Sequence, residues 1–515
     1  MFRTRIAMMI AALFVMTSAA FAAPDRVALV IGMADYAAVS KLRNTSRDAQ
    51  LISDKLTGIG FTVTTLVDRP RAEVLKAMAD FSFRSETADL AMIYFAGHGV
   101  SVEGKNFLIP VDAKISSNAD LFDQAIELDQ LLATVDKARK MRIVVLDSCR
   151  NNPFGGGLTD DAGSGPRQVS AVTTDAQPAA TAEAEASRGL AAAAGMSVPS
   201  PDRGTLVAYA ARDGSTALDG NGANSPFATA LAEKLVQPGL EISLMFRQVR
   251  DEVMKSTQNK QEPNTYGSLP GVPFYLAGTP EQFQELNASN PAEAWSKIRP
   301  DQEAQMLELA KAGDQRSLLG MAYIRLYPDS PSYNPTEGAE FLIKAVETGS
   351  PEAEFELARL YEKGIGVETD LKKAVELYNS AAAQNFPDAI NEIGYFMFTG
   401  SLGFPMDQLG ALEQFRRAAD LGQPEAQFNV AGYIDHGFIP GAGSAEAAEY
   451  LYQGLRGGSE KALEALSNQS ASFKRETRIA LQAKLKDMGF YSGGLDGSFG
   501  KGTVKSLRKA FGLIE

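Results

Sequence analysis

The chain has 515 residues, 45% of them hydrophobic and 22% charged, with a formal net charge of −13. This length exceeds one hydrophobic core and predicts three or four domains, and the hydrophobic content excludes a disordered chain. The acidic balance, with no basic patch interleaved with aromatics in the N-terminal half, argues against nucleic acid as a partner.

In chain order, Arg3 and Arg5, the apolar run 6–16 and Ala20-Phe21-Ala22 form the three parts of a secretory signal, residues 1–22. The run is too short to span a bilayer. A cleaved signal and a periplasmic or secreted protein are expected, with an uncleaved N-terminal anchor as the alternative. The single cysteine, Cys149, excludes an internal disulfide.

Residues 25–280 alternate strand-like and helix-like segments. Strands are predicted at 27–31, 61–67, 90–95, 143–146 and 206–210, with a weaker one at 272–276. Helices are predicted at 47–57, 71–83, 128–138, 226–235 and 242–255. Ser225-Pro226 reads as an N-cap followed by proline at the first helical position. Such alternation predicts an α/β domain with a mostly parallel sheet between helices.

Two of these strands stop at reactive residues: Tyr94-Phe95-Ala96-Gly97-His98-Gly99 and Val145-Leu146-Asp147-Ser148-Cys149. Chemistry in open α/β sheets collects at the carboxyl ends of strands, where a thiol and an imidazole form a nucleophile–base pair. Taken singly, a lone cysteine is often a small buried hydrophobe, and a histidine between glycines an ordinary turn residue. The joint pattern, His before Cys at a spacing of 149 − 98 = 51, favours catalysis.

These two segments resemble the signatures of the caspase-like clan (metacaspases and orthocaspases, peptidase C14 type). Asp-Ser-Cys follows the metacaspase and bacterial form rather than the Gln-Ala-Cys of animal caspases. The resemblance implies a caspase-like fold and a catalytic dyad of His98 and Cys149. It also implies oxyanion donors at the Gly99 and Cys149 backbone N–H groups, and an S1 pocket of Asp147 and Asp48 that takes Arg or Lys. Thr45 and Ala96 depart from metacaspases, which often carry Cys and Ser there, but neither change removes a negative charge. Asp147 capping the next turn and Asp48 solvating a helix are the plainer readings of those two residues. No metal or cofactor is implied, and calcium dependence stays open.

Residues 155–203 hold no aromatic side chain and read as a flexible linker of the inter-subunit type, with Arg167 and Arg188 as candidate self-processing sites. A second linker is expected at 281–302. From 303 to 468 the chain is helical and self-similar. Units open at Pro351, Pro387 and Pro424, with periods of 387 − 351 = 36 and 424 − 387 = 37. This periodicity means a helical solenoid. The Leu360-Tyr361-Glu362-Lys363-Gly364-Ile365-Gly366-Val367 turn and Ala381-Ala382 resemble Sel1-like, TPR-like repeats, which implies a protein-binding surface; a spacer is the other reading. His436 reads as a surface histidine.

Residues 474–515 form a small last unit. Its Asp496-Gly497-Ser498-Phe499-Gly500 turn, followed by Thr503, resembles a peptidoglycan-binding domain, although the late Gln of that family is absent near Phe511. Asp496, Gly497, Phe499 and Gly500 are then the wall-binding turn, and Lys501, Lys505, Arg508 and Lys509 suit an anionic polymer. A three-helix cap on the solenoid is the alternative. The expected function is a secreted cysteine endopeptidase cleaving after Arg or Lys, guided by its repeats and wall module. Its expected partners are basic-P1 protein or peptide substrates, a protein on the repeats, and peptidoglycan. A catalytically silent scaffold and a direct peptidoglycan hydrolase are the rival readings.

Overall fold

The computed structural model describes residues 26–102, 105–149, 204–212, 217–278 and 291–513. The signal segment 1–22, the linker 155–203 and its Arg167 and Arg188 lie outside them.

Strand β1 (Arg26–Gly32) lies between β2 (Thr62–Val67) and β3 (Leu90–Val102), parallel to both. Short β4 (Lys105–Leu108) and β5 (Ile126–Glu127) form an antiparallel side ribbon on the end of β3. The main sheet continues through β6 (Met141–Cys149), parallel to β3, then β7 (Thr205–Tyr209), and ends at antiparallel β8 (Asn264–Ser268), in the order β2-β1-β3-β6-β7-β8. Helices α1 (Thr45–Gly58), α2 (Arg71–Ser85), α3 (Asn118–Gln124), α4 (Leu128–Val135), α5 (Pro226–Lys234) and α6 (Ile242–Ser256) fill the connections. Side chains alternate across the sheet as the period of two requires. Ala28 and Val30 join a core with Ile52, Phe227 and Val249, whereas Leu29 and Ile31 join the opposite core with Val74, Phe81 and Leu131.

Two expectations are corrected. The 90–95 strand does not stop at His98 but runs through it to Val102, because residues 99–102 gain a new partner in β4. The 272–276 segment is not a strand. Tyr275 makes one isolated bridge to Glu241, and the apolar run is buried under the start of α6, where the Phe274 carbonyl accepts the Ile242 amide at 2.8 Å. The sixth strand of the main sheet is formed by 264–268.

The helical arm runs through α7 (Pro291–Ser296), α8 (Pro300–Lys311), α9 (Gln315–Leu326), α10 (Pro335–Glu347), α11 (Pro351–Lys363), α12 (Leu371–Ala383), α13 (Pro387–Thr399), α14 (Gln408–Asp420), α15 (Pro424–Asp435), α16 (Ser444–Gly457) and α17 (Glu460–Asn468). Each repeat opens with proline at the first helical position, as α11, α13 and α15 show. Gly364 and Gly400 end α11 and α13 in the left-handed conformation, φ 68° and 69°, which explains the recurring glycine. Of the expected second linker, 281–290 lies outside the described residues, while 291–302 is helical and packed. Trp295, the one tryptophan in the sequence, is fully buried, its indole N–H donates to the Gly271 carbonyl at 2.8 Å, and the Arg316 guanidinium lies 4.8 Å from its ring centre.

The last unit, α18 (Arg475–Asp487) and α19 (Lys501–Phe511), returns to the sheet domain. Buried Arg456 donates to the carbonyls of Ala510 at 2.9 Å and Glu86 at 3.2 Å, Arg139 donates to the Phe511 carbonyl, and Lys484 sits 3.6 Å from Glu86. Residues 86 and 139 precede β3 and β6, and Gly271 follows antiparallel β8. The arm therefore underlies the edge where the parallel strands begin, and the edge where they end is on the opposite side.

Candidate active site

In the parallel ladder of β3 and β6, His98 and Cys149 are direct partners, the last pair before β6 ends. Neighbouring strands lie about 4.8 Å apart, so the backbone brings the two residues side by side although 51 positions separate them. Gly99 begins the antiparallel pairing with Leu108, so the ladder changes partner between residues 98 and 99.

His98 is buried and held from three directions. Its amide donates to the Tyr36 hydroxyl at 2.7 Å, its carbonyl accepts the Ile109 amide at 3.0 Å, and its ring centre is 4.6 Å from that of Tyr36. Nε2 lies 2.8 Å from the Ser40 carbonyl. A carbonyl only accepts, so Nε2 carries the hydrogen and Nδ1 is the bare, basic nitrogen. Burial lowers the imidazole pKa, which keeps the ring neutral and able to take a proton. Gly97 makes the close fit possible. A Cβ there would lie 2.6 Å from the Tyr36 hydroxyl and 3.1 Å from the Met33 Cβ.

Two buried carboxylates lie near the pair of His98 and Cys149, Asp147 two residues before Cys149 on β6 and Asp48 on α1. Asp147 is buried, and its Oδ2 accepts from the hydroxyls of Ser225 at 2.7 Å and Tyr94 at 3.0 Å. Asp48, on α1, is fully buried, and its Oδ1 accepts from the Ser225 amide at 3.0 Å and the Asn224 side-chain amide at 2.8 Å. Its Oδ2 is buried and has no hydrogen-bond partner among the described residues. Burial, then mutual repulsion in the case of Asp147, pushes the carboxyls up to about 6 for Asp48 and about 7 for Asp147. Among the described residues, the charges raising Asp147 are Asp48 and then Asp219, and the charge raising Asp48 is Asp219. Asp219 itself accepts the backbone amides of Arg43 at 2.8 Å and Asn44 at 3.2 Å, fastening the loop before α5 to the start of α1. A buried orphan carboxylate oxygen beside a second carboxylate is a cradle for a cation.

The sequence residues thus divide. His98 and Cys149 adjoin, and Asp147 and Asp48 meet through Ser225. Tyr36, Ser40, Asp219 and Asn224 were not legible as site residues, and Ser225 was legible only as a helix cap. It is one, since its hydroxyl accepts the Ala228 amide at 2.9 Å. Asp496, Gly497, Phe499 and Gly500 lie in the last unit, where the buried Gln482 side chain holds their turn, accepting the Gly497 amide at 2.8 Å and donating to the Ser498 carbonyl at 3.0 Å. His436 is exposed. Among the described residues no group of three His, Cys, Asp or Glu side chains is arranged to hold a metal ion.

Residues 25–275 match the family model of the caspase domain, and residues 351–386 and 387–423 each match the Sel1 repeat. The mucosa-associated lymphoid tissue lymphoma translocation protein 1 of Homo sapiens is 30% identical over 131 residues, 25% of this chain and 15% of that protein. Caspase-1-B of Xenopus laevis is 26% identical over 157 residues, 28% of this chain and 40% of that protein. The chain therefore spans less than half the length of these curated relatives. The crystal structure of Caspase-1 from Spodoptera frugiperda aligns with 50% of this chain and 92% of that one, at 16% identity and a TM-score of 0.35.

Proposed function

The chain carries a caspase domain followed by Sel1 repeats, and on that premise we propose that it is a cysteine endopeptidase cleaving after arginine or lysine. The observation that carries this reading is the meeting of His98 and Cys149 on adjacent strands, with the buried carboxylates of Asp147 and Asp48 joined through Ser225 close by.

The Cys149 thiol gives its proton to Nδ1 of His98, and the sulfur attacks the scissile carbonyl carbon. The backbone N–H groups of Gly99 and Cys149 hold the oxyanion. As the intermediate collapses, the C–N bond breaks and the imidazolium protonates the leaving amine. Water, deprotonated by His98, then releases the acid and restores the thiol. Asp147 and Asp48 receive the guanidinium or ammonium of P1, and Asp48 Oδ2 gains the partner it lacks.

The same reading places the mature protein in the periplasm or outside the cell, released by the 1–22 signal, with the last unit engaging peptidoglycan and the linker open to self-cleavage after Arg167 or Arg188. Sel1 repeats support a protein partner on the arm. Among the described residues no helix is long and apolar enough to cross a membrane.

The deciding experiment is hydrolysis of Arg-P1, Lys-P1 and Asp-P1 reporters by wild type, Cys149→Ala and His98→Ala. Each substitution is expected to lower turnover of the basic reporters by several orders of magnitude while the melting temperature holds. Turnover by Cys149→Ala at the wild-type rate refutes the mechanism. Failure of a thiol-directed Arg-P1 probe to label the wild type favours the scaffold reading.

A further inference from the structure

The helical arm carries a cavity of about 580 Å³ between α13, α14, α15 and the start of α17, far along the chain from the caspase domain. Its walls are aromatic. Tyr395, Phe398 and Phe438 are 48%, 44% and 61% exposed, and Tyr433 bridges the latter two with ring-centre separations of 6.5 and 5.8 Å. Met406 and Leu409, within two residues of the lining Gln408, add exposed apolar surface. A cluster of large exposed apolar side chains around a cleft of ligand-binding size marks an interaction site rather than ordinary surface.

Polar groups are placed within it sparingly. The Asn429 side-chain amide donates to the Asn391 side-chain carbonyl at 3.3 Å, so two amides on successive repeats line the floor. An amide pair of this kind offers both a donor and an acceptor to an extended main chain. Glu392 is the carboxylate of the lining and Lys461 its cation. Glu362 and Asp388 add negative charge around Glu392, and Arg359, the other cation acting on it, is bonded to Glu356 at 3.1 Å. Burial and the Glu362 charge raise the Glu392 pKa against the opposing pull of Lys461 and Arg359, so a further cation beside Glu392 would favour its ionised form. Aromatic ring faces reinforce the preference for a cation.

We propose that this groove docks an extended protein segment in which an arginine or lysine lies between apolar side chains, the cation against Glu392 and the apolar groups against Tyr395, Phe398, Tyr433 and Phe438. The proposal rests on the reading of the repeats as a protein-binding surface and gives that surface its chemistry. It is independent of catalysis.

The test uses full-length protein carrying Cys149→Ala, so that binding is read without cleavage. The probe is a short fluorescein-labelled peptide with a central arginine flanked on each side by phenylalanine and leucine, beside a twin with glutamate replacing the arginine. Anisotropy is expected to show saturable binding of the arginine peptide, weakened about tenfold or more by Glu392→Gln and by Phe438→Ser, with little binding of the twin. In a Cys149 background the same two substitutions are expected to leave reporter hydrolysis unchanged, which separates failure of the groove from failure of the peptidase reading. Absence of saturable binding, equal binding of the twin, or binding indifferent to both substitutions overturns the proposal. So does concentration-dependent self-association that Phe438→Ser abolishes, which would make a second copy of the chain the occupant.

Discussion

Ser225 donates its hydroxyl proton to Asp147 at 2.7 Å while the same oxygen accepts the Ala228 amide at 2.9 Å, so one hydroxyl both caps α5 and holds a buried carboxylate. Ser225→Ala is expected to cost about 1 kcal/mol of stability through the lost cap. It also strips Asp147 of one of its two hydroxyl donors, disfavouring the ionised form. The expected kinetic signature is a raised KM for Arg-P1 reporters with kcat little changed. Asp147→Asn removes the charge itself and is expected to lower kcat/KM roughly ten- to hundredfold for basic P1. Steady-state kinetics on both variants provides the check, and unchanged KM in each refutes the pocket assignment.

The raised pKa values of Asp48 and Asp147 set a pH dependence. Both lie above their ordinary 3.8, at about 6 and about 7. Between the ordinary and raised values the folded protein binds more protons than the unfolded chain, so stability contributed by the pair is greatest at low pH and falls as pH rises to about 7. The same rise charges the pocket, so KM for basic P1 is expected to drop across that window. Thermal melts between about pH 5 and pH 8 are expected to show this decline for wild type and a shallower one for Asp147→Asn. Parallel curves refute the titration of Asp147.

Gly97→Ala is expected to reduce activity strongly, because the new methyl meets the Tyr36 hydroxyl at 2.6 Å and that hydroxyl holds the His98 amide. Tyr36→Phe keeps the ring and removes only the acceptor, leaving a buried N–H unsatisfied at a cost of about 1–3 kcal/mol. Rates and melting temperatures together separate the two effects. Full activity in Gly97→Ala means that the Tyr36 contact does not position the imidazole.

The legible part of this protein was the part written in local periodicity. Apolar runs at 27–31 and 143–146 and the serine-proline start of α5 fall in observed elements, because a strand buried on both faces and a capped helix each state their identity within a few residues. The extension of β3 past His98 depends on a partner, β4, too short and mixed to announce itself. The 272–276 run misled because burial under a helix needs the same apolar residues as burial in a sheet. Tyr36, Ser40 and Asp219 escaped notice for another reason: they act through a hydroxyl, a carbonyl and a loop carboxylate whose targets are set by tertiary folding alone.

Residues 477–515 are expected to bring the protein down with purified sacculi in a salt-sensitive way, since the charge contribution is screened over about 10 Å at 0.1 M salt. A chain ending near residue 469 is expected to stay in solution and to melt earlier than full length, because it exposes Arg456 and loses the Lys484 and Phe511 contacts to the sheet domain. Equal retention by sacculi of the two proteins refutes the wall module. Equal melting temperatures refute the structural contribution of the docked unit.

The return of α19 to the sheet domain also has a temporal meaning. The bonds from Arg139 to Phe511 and from Arg456 to Glu86 join residues 372 and 370 positions apart. A chain synthesised from its N-terminus completes the caspase domain long before its partners at 456 and 511 have been made. The turn at Glu86–Asp89 is therefore a waiting surface, and loop closure over that distance comes last. A truncated product retains the whole of the sheet domain but leaves that surface uncovered.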